Sequence, residues 1–163
     1  MTPIKKKLKL RKVCMDDALT IWKWSNDPRV RAASFSSKFI AWEEHVRWLE
    51  LKLNNSSCVF YIAVDNSNIP VGQIRFDIKG DCAIVSISID EDYRGKGYGS
   101  ILVRTASNML FETSNVKTIC AYIKPTNIVS INTFTNVNFK QTQIKNINGK
   151  EAVEYTLIRK DTK

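Results

Sequence analysis

The sequence has few of the groups that build metal and disulfide sites. Among its 163 residues there is one histidine, His45, and four cysteines, Cys14, Cys58, Cys82 and Cys120, none of which forms a CxxC pair. Zinc sites draw on closely spaced Cys and His ligands, so no metal is expected and the thiols read as buried and free. No apolar run approaches the roughly 20 residues a membrane-spanning helix needs. The N-terminal stretch MTPIKKKLKLRKV is basic but has no uninterrupted apolar region behind it, which argues against a signal peptide. These absences point to a soluble, cytoplasmic chain without a membrane partner. Internal repeats, low-complexity linkers and breaks in composition are missing too. One domain over residues 1–163 is expected, since domains cluster near ~100–150 residues.

What is present is basic and globular. Lys and Arg number 25 against 16 Asp and Glu, a net charge of +9, while 44% of residues are hydrophobic and 25% charged. A basic field attracts nucleic acid, a phosphorylated cofactor or a nucleotide-linked substrate alike. Lys5, Lys6, Lys7, Lys9, Arg11 and Lys12 at one end, and Arg159, Lys160 and Lys163 at the other, read as solvated surface.

Periodicity predicts a half-buried strand over Lys7–Val13, then a helix opened by Asp16 and Asp17 and stopped at Asn26-Asp27-Pro28. Ala18, Leu19, Ile21 and Trp22 form its apolar side. A second helix runs over Ala41–Leu53, with Trp42, Val46, Leu49 and Leu53 as its buried stripe. Three strands follow, Cys58–Val64, Val71–Ile78 and Cys82–Ile89, joined by hairpin turns. In the third, Ser86 and Ser88 face away from Val85, Ile87 and Ile89. Next come a long helix over Tyr98–Thr113, a strand over Lys117–Ile123, a short helix near Ile128–Val137, and strands Phe139–Ile144 and Glu151–Ile158 around Asn148-Gly149, a hairpin signal. The order is that of a mixed α+β sheet domain.

Three glycines alternate in Arg94-Gly95-Lys96-Gly97-Tyr98-Gly99-Ser100, where a strand passes into a helix. First-turn amides of a helix carry partial positive charge and bind phosphate oxygens, and glycines let the backbone come close. Gly95-Lys96 is followed by glycine rather than Ser or Thr, so this is not a Walker loop, and GxGxG in mid-chain is not a dinucleotide fingerprint.

Arg94-Gly95-Lys96-Gly97-Tyr98-Gly99 resembles the R/Q-x-x-G-x-G/A signature of the GNAT N-acetyltransferase superfamily. Asn127-Ile128-Val129-Ser130-Ile131-Asn132-Thr133-Phe134, ending at Asn138-Phe139, resembles that superfamily's N-x-x-S-x-x-x-(Y/F)-x-x-x-G-F element. The resemblance covers nearly the whole chain. It implies a GNAT fold: a mostly antiparallel sheet of six to seven strands flanked by about four helices, with central strands splayed around acetyl-CoA. It further implies that the amides of Gly95, Gly97, Gly99 and Ser100, with Tyr98 beside them, hold the pyrophosphate, helped by Arg94 and Lys96. Main-chain groups of Ile87, Ser88 and Ile89 meet the pantetheine arm and thioester, and Asn127 and Ser130 line the other wall.

The N-terminal third carries W-x-N-D-x-x-V-R, then Ser34, then I-x-x-E-E-H-x-x-W. This is similar to the branch that acetylates nucleotide-linked amino-deoxysugars, as in the pseudaminic-acid pathway, and less closely to the branch acting on ribosomal-protein N-termini. The likeness implies acceptor contacts from Trp24, Asn26, Arg31, Ser34 and His45, with Arg29, Lys38 and Arg47 available to a diphosphate. A homodimer is among the assemblies it admits. His45 reads equally as a boundary residue or as the base that takes the amine's proton. Ser86, Ser88, Glu43, Glu44 and Asp77 compete with it as base. Many family members carry a tyrosine at position 134 that protonates the leaving thiolate. Phe134 cannot, which leaves Ser130, Tyr122 or water. Asn138 stands where the pattern has glycine. A non-catalytic nucleic-acid-binding module is the reading from a different class, resting on charge alone.

Overall fold

The structure, a computed structural model, describes residues 6–161, so Lys5 and Lys163 of the terminal basic clusters lie outside it. The chain opens with β1 (Lys9–Lys12) and a 3₁₀ turn at Met15–Asp17, then α1 (Ala18–Ser25), α2 (Pro28–Ala33) and α3 (Trp42–Leu53). Strands β2 (Cys58–Val64), β3 (Pro70–Lys79) and β4 (Cys82–Ile89) lead through a second 3₁₀ turn, Glu91–Tyr93, to α4 (Tyr98–Thr113). Then come β5 (Thr118–Ile123), α5 (Ile128–Thr135), β6 (Lys140–Ile147) and β7 (Lys150–Ile158). One seven-stranded sheet results, ordered β1-β2-β3-β4-β5-β7-β6. Every pairing is antiparallel except β4 with β5.

The expected helix stop at Asn26-Asp27-Pro28 is also a start. Asn26 ends α1, but Asp27 Oδ1 accepts from the amides of Arg29 (2.8 Å) and Val30 (3.4 Å). Proline at the first helical position lacks the amide that would go unpaired there, so Asp27-Pro28 begins α2, which the sequence reading left out. The buried stripes keep Ala18, Ile21 and Leu49 of those expected but differ at other positions. In α1 they are Ala18, Ile21 and Trp24, with Leu19 half exposed; in α3 they are His45 and Leu49, with Trp42 part exposed.

Two cores flank the sheet. On one face α1 and α3 bury Ile21, Trp24 and Leu49 against Phe60 and Ile62 of β2. On the other, α4 and α5 bury Leu102, Val103, Leu110 and Phe134 against β3, β4 and β5. Each large side chain removed from water contributes about 1.5–3 kcal/mol. α1 also touches β4 and Ser88 is buried, but on the α1–α3 face the middle of β4 is bare: Ile84 is 43% exposed and Ser86 is exposed. The thiols are free, but Cys14 and Cys82 are exposed rather than buried. Arg159, read as a solvated charge, instead donates to the Phe111 and Ser114 carbonyls at the end of α4.

Asn148 (φ 50°) and Gly149 (φ 77°) form the expected β6–β7 turn. Asn138 has φ 70°, a left-handed conformation in which the chain turns from α5 into β6. That explains why glycine is usual at this position and why asparagine, the side chain that best tolerates this region, replaces it. Asn138→Gly should hold or raise the melting temperature. Asn138→Val should lower stability by about 1–3 kcal/mol, read by thermal or urea unfolding.

Candidate active site

The parallel junction is short. β4 and β5 pair at Cys82↔Thr118, Ala83↔Ile119 and Ile84↔Cys120, then part. Each continues on its other neighbour, β4 to Gly72↔Ile89 and β5 to Ile123↔Val153, so the opening bares one backbone edge of each strand. Asp90 N donates to Val71 O at 2.8 Å. Antiparallel alternation then turns the Ser86 and Ser88 amides toward β3, and the Ile87 and Ile89 amides into the opening. Ser88 is therefore not on the open edge, contrary to expectation. Its buried hydroxyl accepts from Gln73 Nε2 at 2.9 Å.

At the tip of β4 the chain enters the glycine loop. Gly95 (φ 70°) and Gly97 (φ 83°) are left-handed, and a Cβ at either would meet nothing within 4 Å. The space around them is open, so conformation rather than crowding selects glycine. Gly97 stands at the N-cap of α4 and no side chain caps it, so the amides of Tyr98, Gly99 and Ser100 have no helical partner. Gly99 has a different reason: a Cβ there would lie 3.2 Å from Thr133 Cγ2, so its smallness lets α4 pack on α5. At the same contact Ser100 Oγ donates to Thr133 O at 3.4 Å.

The two basic side chains expected at the phosphate are turned onto the protein. Arg94 Nε donates to Ile89 O (2.9 Å) and its guanidinium pairs with the Asp27 carboxylate (3.2 Å). Burial alone would raise the Asp27 carboxyl, but the bonds from Arg94 and the Arg29 amide outweigh it and hold it below its ordinary value. Lys96 Nζ donates to Asp92 O at 2.6 Å. On the opposite wall Asn127 caps α5: its Oδ1 accepts from Ser130 N (3.2 Å) and its Nδ2 donates to Ser130 Oγ (3.0 Å). Phe134 lies in the core, edge-on to Phe139 with ring centroids 5.0 Å apart.

The residues expected to touch the acceptor brace the fold instead. Trp24 is buried and its Nε1 donates to Asp90 Oδ2 at 2.8 Å. Asn26 holds the loop before α3 from both sides, Nδ2 to Ile40 O (3.0 Å) and Ile40 N to its Oδ1 (2.9 Å). Arg31 gathers the same loop through Ser36 O, Lys38 O and Ser34 Oγ, and Ser34 Oγ donates to Val30 O at 2.7 Å. Lys124 Nζ, just past β5, donates to Ala32 O of α2 at 2.7 Å. Each of the bonds named here stays within the protein, while Arg31 Nε is buried without a partner. The motif was legible as a pattern, but spacing alone does not tell a clasp from a contact.

A sequence model described as acetyltransferase (GNAT) domain matches residues 7–140. The chain belongs to this family. No curated protein matches the sequence. Among solved structures, the aminoglycoside acetyltransferase AAC(6')-Ib in complex with coenzyme A is 20% identical over 94% of this chain and 95% of its own, with a TM-score of 0.81. The spermidine N-acetyltransferase from Vibrio cholerae, in complex with CoA and spermine, is 17% identical over 93% and 95%, with a TM-score of 0.84. A domain from Methanocaldococcus jannaschii is 23% identical over 95% and 100%, with a TM-score of 0.82. These likenesses establish the fold.

The protein is thus an acetyl-CoA-dependent N-acetyltransferase of the GNAT type, and the non-catalytic reading gives way. An uncapped helix start, an open loop and a parted strand pair fit the acetyl donor, which supplies an activated acyl group. Among the described residues no helix is long and apolar enough to cross a membrane, and no cluster of three metal-capable side chains occurs. On the sheet face turned away from α4 and α5 the acetyltransferase has a polar cluster of which the sequence singles out only Tyr122: Lys145 Nζ bonds the Tyr122 oxygen and pairs with the buried Glu154. The residues lie on three strands with no local motif, so only strand register could have joined them.

His45 is a structural histidine in this GNAT protein. It is 1% exposed, its Nε2 donates to Ala18 O at 2.8 Å, and its ring lies between Trp42 and Trp48. A group sealed beneath α1 reaches no acceptor, so the catalytic and acceptor roles expected of it are withdrawn. Burial pushes its imidazole below the ordinary value, only partly offset by the Ala18 bond. With the folded value depressed, the unfolded chain binds the proton more tightly. Stability is therefore full above about pH 6.5 and falls as pH drops below it. His45→Gln should flatten the loss of melting temperature between about pH 6.5 and 5. Because His45 is the sole histidine, its NMR titration reads the same shift directly.

Proposed function

We propose that this acetyltransferase moves the acetyl group of acetyl-CoA to the primary amine of a nucleotide-linked amino-deoxysugar, by direct attack in a ternary complex. The observation that carries the transfer is the parting of β4 from β5 beyond Ile84↔Cys120, directly before the uncapped start of α4. In this reading the amides of Gly95, Lys96, Gly97, Tyr98, Gly99 and Ser100 hold the pyrophosphate, and Asn127 and Ser130 form the facing wall. The Ile87 and Ile89 main chain receives the pantetheine arm. One of those amides steadies the oxyanion, a contribution worth roughly 3–4 kcal/mol where one such donor has been deleted. Ser86, exposed beside the opening, hydrogen-bonds the incoming amine.

The acceptor class is supported by the outer surface of α2, α3 and the loop between them. Phe39 is 68% exposed and Trp42 38%, each edge-on to Trp22, with Arg29, Lys38 and Arg47 exposed nearby in sequence. Aromatic faces suit a nucleobase and guanidinium groups suit a diphosphate. One observation favours the second reading, acetylation of a peptide N-terminus. An open cleft of about 250 Å³ is lined by Asp27, Asp90 and Glu91 together with Thr20, Lys23 and Trp24, and its carboxylates suit an ammonium.

Acetyl-CoA at about 100 times its dissociation constant should stabilise the fold by about 2.7 kcal/mol. No thermal shift at millimolar acetyl-CoA would remove the enzyme reading. Thiol release is then followed with a panel of nucleoside-diphosphate amino-deoxysugars and of peptides. Release with the sugars is expected, and release with peptides alone would overturn the acceptor assignment.

A further inference from the structure

The position that the family pattern reserves for the proton donor is closed to that role. Phe134 has no proton to give and is 3% exposed. Ser86 and Tyr122 each lie two residues past Ile84↔Cys120, the last pair before the strands part, on the sheet face that carries Ile84 and Cys120. The Tyr122 oxygen accepts from Lys145 Nζ at 3.2 Å, and that ammonium lies 5.2 Å from the Tyr122 ring centroid. Lys145 is itself paired with Glu154 at 3.2 Å. Glu154, on β7 directly beside Tyr122, accepts from Thr142 Oγ1 (2.7 Å) and Gln143 Nε2 (3.1 Å) as well.

We propose that Tyr122 is the proton donor to the departing thiolate, with Lys145 and Glu154 as its positioning residues. The assignment rests on the acetyl-transfer reading above, though not on the identity of the acceptor. The amine nitrogen forms a bond to the thioester carbon, and the carbon–sulfur bond breaks with its electron pair on sulfur. The phenolic proton of Tyr122 passes to that sulfur. The phenolate left behind is held by Lys145 until it regains a proton from solvent, into which the acetylated nitrogen sheds its own.

The charges around the phenol suit this cycle. Lys145 faces it from β6 and Glu154 from β7, while on β4 Ser86 Oγ accepts from Arg75 of β3 at 3.4 Å. Burial and Glu154 push the Tyr122 phenol up while Lys145 pulls it back, with the net above its ordinary value, so the proton is retained at neutral pH. Burial would raise Glu154, but hydrogen bonds from Thr142, Gln143, Lys145 and Tyr122 hold it at about 2, so it remains an anion that anchors Lys145.

The test uses the full chain with acetyl-CoA and hydroxylamine, a small amine that is neutral at the working pH, and reads thiol release above the uncatalysed rate. Tyr122→Phe should lower kcat for thiol release about 100-fold while leaving KM for acetyl-CoA unchanged. Lys145→Met should give a smaller fall and move the basic limb of the pH profile, a change that a merely structural role would not produce. Independently of turnover, the tyrosine Cζ resonance that disappears in Tyr122→Phe should shift when CoA is added to the wild-type protein. Equal kcat in wild type and Tyr122→Phe, or a Cζ signal indifferent to CoA, would overturn the proton-donor role alone. Absence of thiol release from the wild type would overturn acetyl transfer itself, and the proposal with it. Should Tyr122→Phe fail to fold, Lys145→Met and the wild-type Cζ titration still decide.

Discussion

The organisation of this acetyltransferase follows from one constraint: two neighbouring parallel strands that stop pairing half-way. Unpaired strand edges inside a sheet are costly, because every amide and carbonyl there forgoes a partner. Here both strands are kept straight by their outer neighbours, β3 and β7, so neither can collapse onto the other. A polar ligand that lies between them completes the hydrogen bonding that the fold leaves open. The glycine loop and the uncapped start of α4 follow directly on β4, the strand that borders that gap.

The N-terminal third serves this arrangement as a brace. Trp24 reaches Asp90, Asp27 reaches Arg94, and Arg94 reaches the Ile89 carbonyl, so α1 and α2 are tied to the tip of β4 through buried or half-buried polar contacts. Removing one partner of such a contact would strand the other in a poorly hydrated place. A polar motif of this kind looks functional in a sequence because charged and amide side chains are costly to keep in an interior without a purpose. Its purpose here is to hold the loop that in turn presents the α4 amides.

Elements with strong periodicity were readable from the sequence: β2, β4 and α4 run over the residues that alternation and the glycine cluster indicate, and the family resemblance agrees with the matched domain. The failures have specific causes. α2 was missed because Asp27-Pro28 ends one helix by the same chemistry that starts the next. The stripe of α3 was misread because His45 carries its polarity inward to the Ala18 carbonyl, where a hydropathy pattern does not look for it. Trp24, Asn26, Arg31 and Ser34 matched a pattern whose tertiary partners lie tens of residues away or at loop carbonyls, which spacing cannot reveal. Tyr122, Lys145 and Glu154 become neighbours only through the β5-β7-β6 pairing.

The missed helix has a further significance. Its first residue is fastened by Asp27 to the loop beyond β4, and its far end, at Ala32, is fastened by Lys124 to the segment beyond β5. Six residues of helix make a rod about 9 Å long. α2 therefore joins the segment that follows β4 to the segment that follows β5, by one polar contact at each end. Adding or removing one residue there would turn one fastening by about 100° around the helix axis relative to the other, so the two contacts are in register only at this length.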